Sequence, residues 1–216
     1  MIKSIIFDLD GTLIDSMHIW YDIDRQFLIE NGIENPPGEI SERLKKLTIY
    51  ESSELLIEEF NLACTKDYIV KRIEELVRIE YEEKIQLKPY VRELLDFLDS
   101  RGIPYAIATA TYKSLAEAVL KRCGISDRFR FILTNIDYPR GKNFPDIFLG
   151  AAEKLGTLTG ETLVAEDSLH CIETAGRAGF ITCAIYDESS EKDRYLLEEK
   201  ADYYFNSIYD IKDLIE

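Results

Sequence analysis

The residues of this chain that could do chemistry stand where apolar runs end. In IIFDLDGTLIDS, residues 5–16, the run Ile5-Ile6-Phe7 stops at Asp8 and Asp10, one residue apart, with Gly11-Thr12 immediately after. A β-branched and aromatic run of this length reads as a strand buried on both faces, and an acid at its tip costs free energy unless it finds a partner. Comparable runs end at Thr109 in YAIATA (105–110) and at Glu166-Asp167 after TLVAE (162–166), and Lys142 stands in RGKNFPD (140–146), the loop after FILT (131–134). If those strands lie in one parallel sheet, four carboxylates, a hydroxyl and an ammonium converge on the carboxyl edge where such sheets bind ligands. Two carboxylates about 4 Å apart repel by roughly 4 kcal/mol at an effective dielectric of about 20, so the cluster calls for a divalent cation. Oxygen donors with no His or Cys beside them suit Mg²⁺ rather than Zn²⁺, and Mg²⁺ commonly shares its shell with a substrate phosphate.

The elements that must position these groups follow from periodicity. Ile19, Ile23, Phe27 and Leu28 mark a helix stopped by Asn31-Gly32, and ENPPG (34–38) then breaks the chain. Further helical patterns lie near Glu51 to Phe60 and Lys66 to Lys84, and no strand is expected between 16 and 86. From Pro89 onward helices alternate with YAIATA, FILT, TLVAE and ITCAI (181–185), the pattern of right-handed βαβ units. The expected architecture is therefore α/β: a Rossmann-like, mostly parallel sheet formed by residues 1–15 and 87–216, interrupted after its first strand by an all-helical insertion, 16–86.

Other motifs and classes drop out. Gly141-Lys142 is followed by Asn143 rather than Ser or Thr, so it is no P-loop, and Gly11 is misplaced for a calcium loop. G-x-S-x-G is absent and there are two histidines, His18 and His170, neither expected as a ligand. Cys64, Cys123, Cys171 and Cys183 form no C-x-x-C pair and suit reduced thiols in a cytoplasmic protein. With 41 acidic against 26 basic side chains, a formal charge of −15, neither nucleic acid nor an anionic membrane is an expected partner. No secretory leader and no membrane span of about 20 apolar residues is read.

DLDGT (8–12), the small-residue strand ending in Thr109, Lys142 in GKNFPD and EDS (166–168) together resemble the four ordered motifs of the haloacid dehalogenase-like hydrolases. The helices after Asp15-Ser16 resemble the cap of that superfamily's phosphatase and β-phosphoglucomutase branch. The resemblance implies a phosphatase of small phosphorylated metabolites with Asp8 as nucleophile, Asp10 as general acid and base, and Thr109 and Lys142 on the phosphoryl oxygens. It also implies Mg²⁺ held by Asp8, the Asp10 carbonyl and Asp167, with Glu166 supporting the metal's waters. Lys45 and Lys46 in the cap are candidates for the distal part of an anionic substrate, and a monomer or weak homodimer is the expected state.

Taken singly, Thr109, Lys142 and Asp167 also have local explanations, as a turn hydroxyl, a solvated charge and a helix cap. Departures from the family pattern narrow the choice. Trp20 stands where the mutase branch commonly carries a histidine, and LKKLTIYESSE (44–54) replaces its Gly-x-x-Arg-like cap segment, so a β-phosphoglucomutase-like mutase is the second reading. Cys171 occupies a place where glycine is usual, which bears on helix packing rather than on any ligand.

Overall fold

The computed structural model describes residues 1–44 and 49–215. The first strand, β1 (Ser4–Phe7), is followed by four helices, α1 (Ile19–Glu30), α2 (Ile40–Leu44), α3 (Ile49–Phe60) and α4 (Lys66–Ile79), the last continued by a π-helical turn, Glu80–Lys84. The chain then alternates: α5 (Val91–Arg101), β2 (Tyr105–Ala108), α6 (Lys113–Arg122), β3 (Ile132–Leu133), α7 (Asp146–Leu155), β4 (Thr162–Glu166), α8 (Leu169–Arg177), β5 (Ile181–Ile185), α9 (Arg194–Lys200) and β6 (Tyr203–Phe205). It divides into two compact units, Met1–Asp15 with Ile85–Glu216, and Ser16–Lys84.

The first unit is built on a six-stranded sheet in the order β3-β2-β1-β4-β5-β6, all pairs parallel. Central β1, β2 and β4 are buried along their whole length, which is why they read as continuous apolar runs. Ile6, Ala108 and Val164 pack on one face with Ile147, Phe148 and Ala151 of α7 and Cys171 and Ala175 of α8. Cys171 is thus a core residue, 2% exposed, and its thiol also lies within hydrogen-bond reach of Glu166. On β1 the alternation sends Phe7 to the other face, where it meets Tyr105 edge-on at 6.1 Å. Strand order reverses at β1, so the crevice at the carboxyl ends of β1, β2 and β4 is the topological switch point.

The second unit is all-helical. Its interior is formed by Ile19, Ile23, Phe27 and Leu28 of α1, Leu56 of α3, and Ile69, Ile73, Leu76 and Val77 of α4, followed by buried Tyr81. Thr65 caps α4 by accepting from the Tyr68 N–H at 3.2 Å. Arg72 clamps Glu30 with two bonds of 2.8 and 2.9 Å, tying α4 to the end of α1.

Between β1 and this unit the chain makes a tight loop. The N–H groups of Leu13 and Ile14 both reach the Leu9 carbonyl, at 2.9 and 3.0 Å, and the Gly11 N–H reaches Ile14 at 3.0 Å. Gly11 takes a φ of 79°, a left-handed conformation that a Cβ would strain. Gly11→Ala is therefore expected to lower stability by about 1–2 kcal/mol in urea unfolding. Gly160, whose surroundings leave a Cβ open space, provides the control, since Gly160→Ala should change stability by less than about 0.5 kcal/mol.

Candidate active site

Asp8 leaves β1 with its backbone still in the sheet, its N–H donating to the Ala165 carbonyl at 2.9 Å. The β1–β4 register pairs Phe7 with Ala165, and one step further sets Asp8 level with Glu166. Lys142 enters from the loop after β3, on a 3₁₀ turn spanning Gly141–Asn143. Its ammonium bonds to Asp8 Oδ1 and, at 2.8 Å, to Glu166 Oε1. Lys142 is 7% exposed, Asp8 6% and Glu166 and Asp167 2% each, so this is a buried charge cluster rather than a surface ion pair.

Asp8, Glu166 and Asp167 each present an oxygen, and the three oxygens lie within 4.8 Å of one another. Three hard donors at that spacing fit an oxygen-seeking divalent cation. Glu166 is held on both oxygens, by Lys142 and by the Ser168 N–H at 2.8 Å, while Asp167 Oδ2 accepts from Ser190 Oγ at 3.3 Å. The Asp10 side chain faces a different partner, accepting at Oδ2 from Thr111 Oγ1 at 2.6 Å. Thr109 is fully buried and its Oγ1 accepts from the Thr111 N–H at 3.0 Å, an arrangement that leaves its O–H hydrogen for another acceptor.

Charge and burial pull these groups apart. Burial pushes the Asp8 carboxyl up to about 8; Lys142 opposes the rise, and Glu166 and Asp10 add to it. Asp167 is raised well above the ordinary carboxylate range by burial and by Glu166, Asp8 and Asp187. Burial also acts to raise Glu166, but Lys142 and the Ser168 N–H hold it below its usual value. For Lys142 burial acts downward, and Asp8 and Glu166 more than reverse it. The ammonium is firmly charged while two of its carboxylate neighbours lean toward neutrality.

The structure thus brings Asp8, Lys142, Glu166 and Asp167 into contact range, with Asp10 two residues beyond Asp8 and Thr109 at the end of the adjoining strand β2. Lys45 and Lys46 lie outside the described residues. His18 and His170 are exposed, the latter in the first turn of α8. Thr111 and Ser190 escaped the sequence reading. Thr111 carried a signal, since it repeats beyond Thr109 the two-residue period that relates Asp8 to Asp10. Ser190 carried none, because its partner Asp167 is 23 positions away. Among the described residues, no helix is long and apolar enough to cross a membrane.

Residues 2–179 match the family model of the haloacid dehalogenase-like hydrolases. The chain is similar to a phosphorylated carbohydrates phosphatase of Thermotoga maritima, 27% identical over 177 residues that make up 82% of each chain. It is similar to pyrophosphatase PpaX of Oceanobacillus iheyensis, 30% identical over 217 residues, 99% of this chain and 95% of the other. Among solved structures, one from Thermotoga maritima, provisionally called a β-phosphoglucomutase, superposes with a TM-score of 0.85 at 25% identity over 99% of this chain and 98% of that one.

The raised carboxyl of Asp8 sets a pH dependence. In the cation-free protein the folded state keeps a proton that the unfolded chain releases above about 4, so this contribution to stability is lost as pH rises from about 4 toward about 8. Asp8→Asn lacks that loss. In chelator, urea unfolding should show Asn at this position becoming progressively more stabilising relative to the parent between pH 5 and about 8. A pH-independent difference between the two proteins would contradict the assignment.

Proposed function

The chain belongs to the haloacid dehalogenase-like hydrolases, and on that premise we propose that it is a Mg²⁺-dependent phosphatase of small phosphorylated metabolites that works through an aspartyl-phosphate on Asp8. The observation that carries this reading is the Lys142 ammonium buried between Asp8 and Glu166, with Asp167 beside them at the switch point of the sheet. Phosphoryl transfer needs a nucleophile, a positive surround for the phosphoryl oxygens and a proton carrier, and this chain has residues suited to each.

An Asp8 carboxylate oxygen attacks phosphorus, and the bond to the leaving alkoxide breaks. Asp10, oriented by Thr111, gives that alkoxide its proton. The Asp10 carboxylate then takes a proton from water as the water oxygen attacks the same phosphorus, releasing inorganic phosphate and restoring Asp8. Thr109 donates to a phosphoryl oxygen, and Lys142 balances charge first on Asp8 and then on the phosphoryl group. Asp8, the Asp10 carbonyl and Asp167 would hold Mg²⁺, with Glu166 orienting its waters. When bound, the ion supplies the positive charge that keeps Asp8 ionised and offsets charge on the transferred group. The helical unit Ser16–Lys84 is assigned the choice of substrate.

A second reading, sugar-phosphate mutase, is favoured by the likeness to the provisional β-phosphoglucomutase. In that case the phosphoryl group on Asp8 passes to a second sugar hydroxyl rather than to water. Product analysis separates the two, because a mutase requires a bisphosphate activator and releases little inorganic phosphate.

The test is inorganic phosphate release from a panel of phosphorylated sugars, nucleotides and other metabolites, with Mg²⁺ and with chelator. Release is expected only with the metal, to vanish in Asp8→Asn and to fall roughly 10²- to 10⁴-fold in Asp10→Asn. Near-normal turnover by Asp8→Asn would end the nucleophile assignment.

A further inference from the structure

We infer that Lys88 is a positioning residue of the active site, tying the turn that carries Asp10 to the loop that holds Asp167; the inference rests on the phosphatase reading of that site. Lys88 belongs to no catalytic motif. It lies where the chain, having left the α/β unit after Asp15, has re-entered it at Ile85. There the two crossings pair: Asp15 N–H donates to the Gln86 carbonyl and Lys88 N–H to the Leu13 carbonyl, both at 2.9 Å, around an antiparallel bridge between Ile14 and Leu87. The backbone of Lys88 is therefore fixed beside the loop that follows Asp10.

Its side chain is mostly buried, 15% exposed, and ends among three acceptors. The ammonium donates to the Gly11 carbonyl at 2.7 Å, to the Tyr186 carbonyl at 2.7 Å and to Asp187 Oδ2 at 2.9 Å. An ammonium has three N–H donors, so the three acceptors saturate it. Gly11 directly follows Asp10. Asp187 follows Tyr186 in the loop after β5, where its Oδ1 accepts from the Ser189 N–H at 2.9 Å and the Ser189 hydroxyl at 2.6 Å. Ser190, whose N–H returns to the Asp187 carbonyl at 3.1 Å, extends its hydroxyl to Asp167.

One lysine head thus fastens two segments far apart in the chain, each ending on a carboxylate of the site. It also neutralises Asp187, which acts on Asp167 as a further negative neighbour. Geometry matters here as well as charge. The acceptors converge on one nitrogen, and the planar fork of a guanidinium does not reproduce that convergence.

The test uses the full chain with Lys88→Met and Lys88→Arg, compared with the parent by amide hydrogen exchange in the absence of divalent cation and by steady-state kinetics with Mg²⁺ and the best substrate of the panel. In both variants residues 11–14 and 186–190 should exchange faster together, and kcat should fall roughly 10- to 100-fold with KM changed by less than about twofold. Unchanged exchange in either segment, or kcat within about twofold of the parent, would overturn the inference. So would full recovery in Lys88→Arg, which would reduce the role to charge. If Lys88→Met does not fold, Lys88→Arg decides alone by the same criteria. A parent that releases no phosphate would count against the phosphatase reading instead, and the exchange measurement would then decide for or against Lys88.

Discussion

A single buried ammonium, that of Lys142, is the constraint on which the rest of the structure depends. It touches Asp8 and Glu166, and Asp167 completes a trio of carboxylate oxygens within 4.8 Å. Three carboxylates against one ammonium leave two negative charges if all are ionised, more than a buried site holds without a counter-ion. The polypeptide alone resolves this by raising the affinity of Asp8 and Asp167 for protons. A divalent cation would resolve it by matching the excess charge, and would return Asp8 to the ionised form that the nucleophile role proposed for it needs. Proton and cation would therefore compete for the same deficit.

Holding that cluster requires strands that end at the same level. The β1–β4 register brings Asp8 level with Glu166, and β2, on the other side of β1, delivers Thr109. Parallel pairing makes this possible, because every central strand then presents its carboxyl end to one edge. The consequence is crowding: the five chain exits of β3, β2, β1, β4 and β5 leave from one edge within four strand spacings. The tight loop at Gly11, the 3₁₀ turn of Lys142 and the Asp187 turn are the local solutions, and in the last the Asp187 carboxylate itself accepts the Ser189 N–H.

What the sequence disclosed and what it concealed divide along physical lines. Strands β1, β2, β4 and β5 were legible because burial on both faces leaves an unbroken apolar run, and the longer helices because their buried stripes repeat every three to four residues. The helices α2 and α9, five and seven residues long, are too short for a period to emerge, and neither was read. The edge strand β6 was missed too; its three residues, Tyr203–Phe205, are exposed or half-buried and look like loop. FILT was read as a strand, and of it only Ile132–Leu133 pairs. At the site, chemical identity was legible and partnership was not. Lys88 in LKPY looks like any solvated lysine until the fold closes three acceptors around it. Ser168 begins α8 in the cap position, yet its side chain makes no cap bond, and it is Glu166 that receives the N–H.

The surface and the site pull a phosphorylated ligand in opposite directions, and distance decides between them. The chain's formal charge of −15 repels an anion in general. Exposed charges are screened over roughly 8 Å at physiological ionic strength, so acids remote from the crevice contribute little at contact. Lys142 is buried, and the field of a buried charge is damped far less by salt. Under the proposed function, recognition of a phosphoryl group depends on short-range donors fixed in advance, with Thr109 and Lys142 as the donors and a bound cation offsetting the excess negative charge of the cluster. On these terms the acidic surface does not contradict the small anionic substrate proposed for the site.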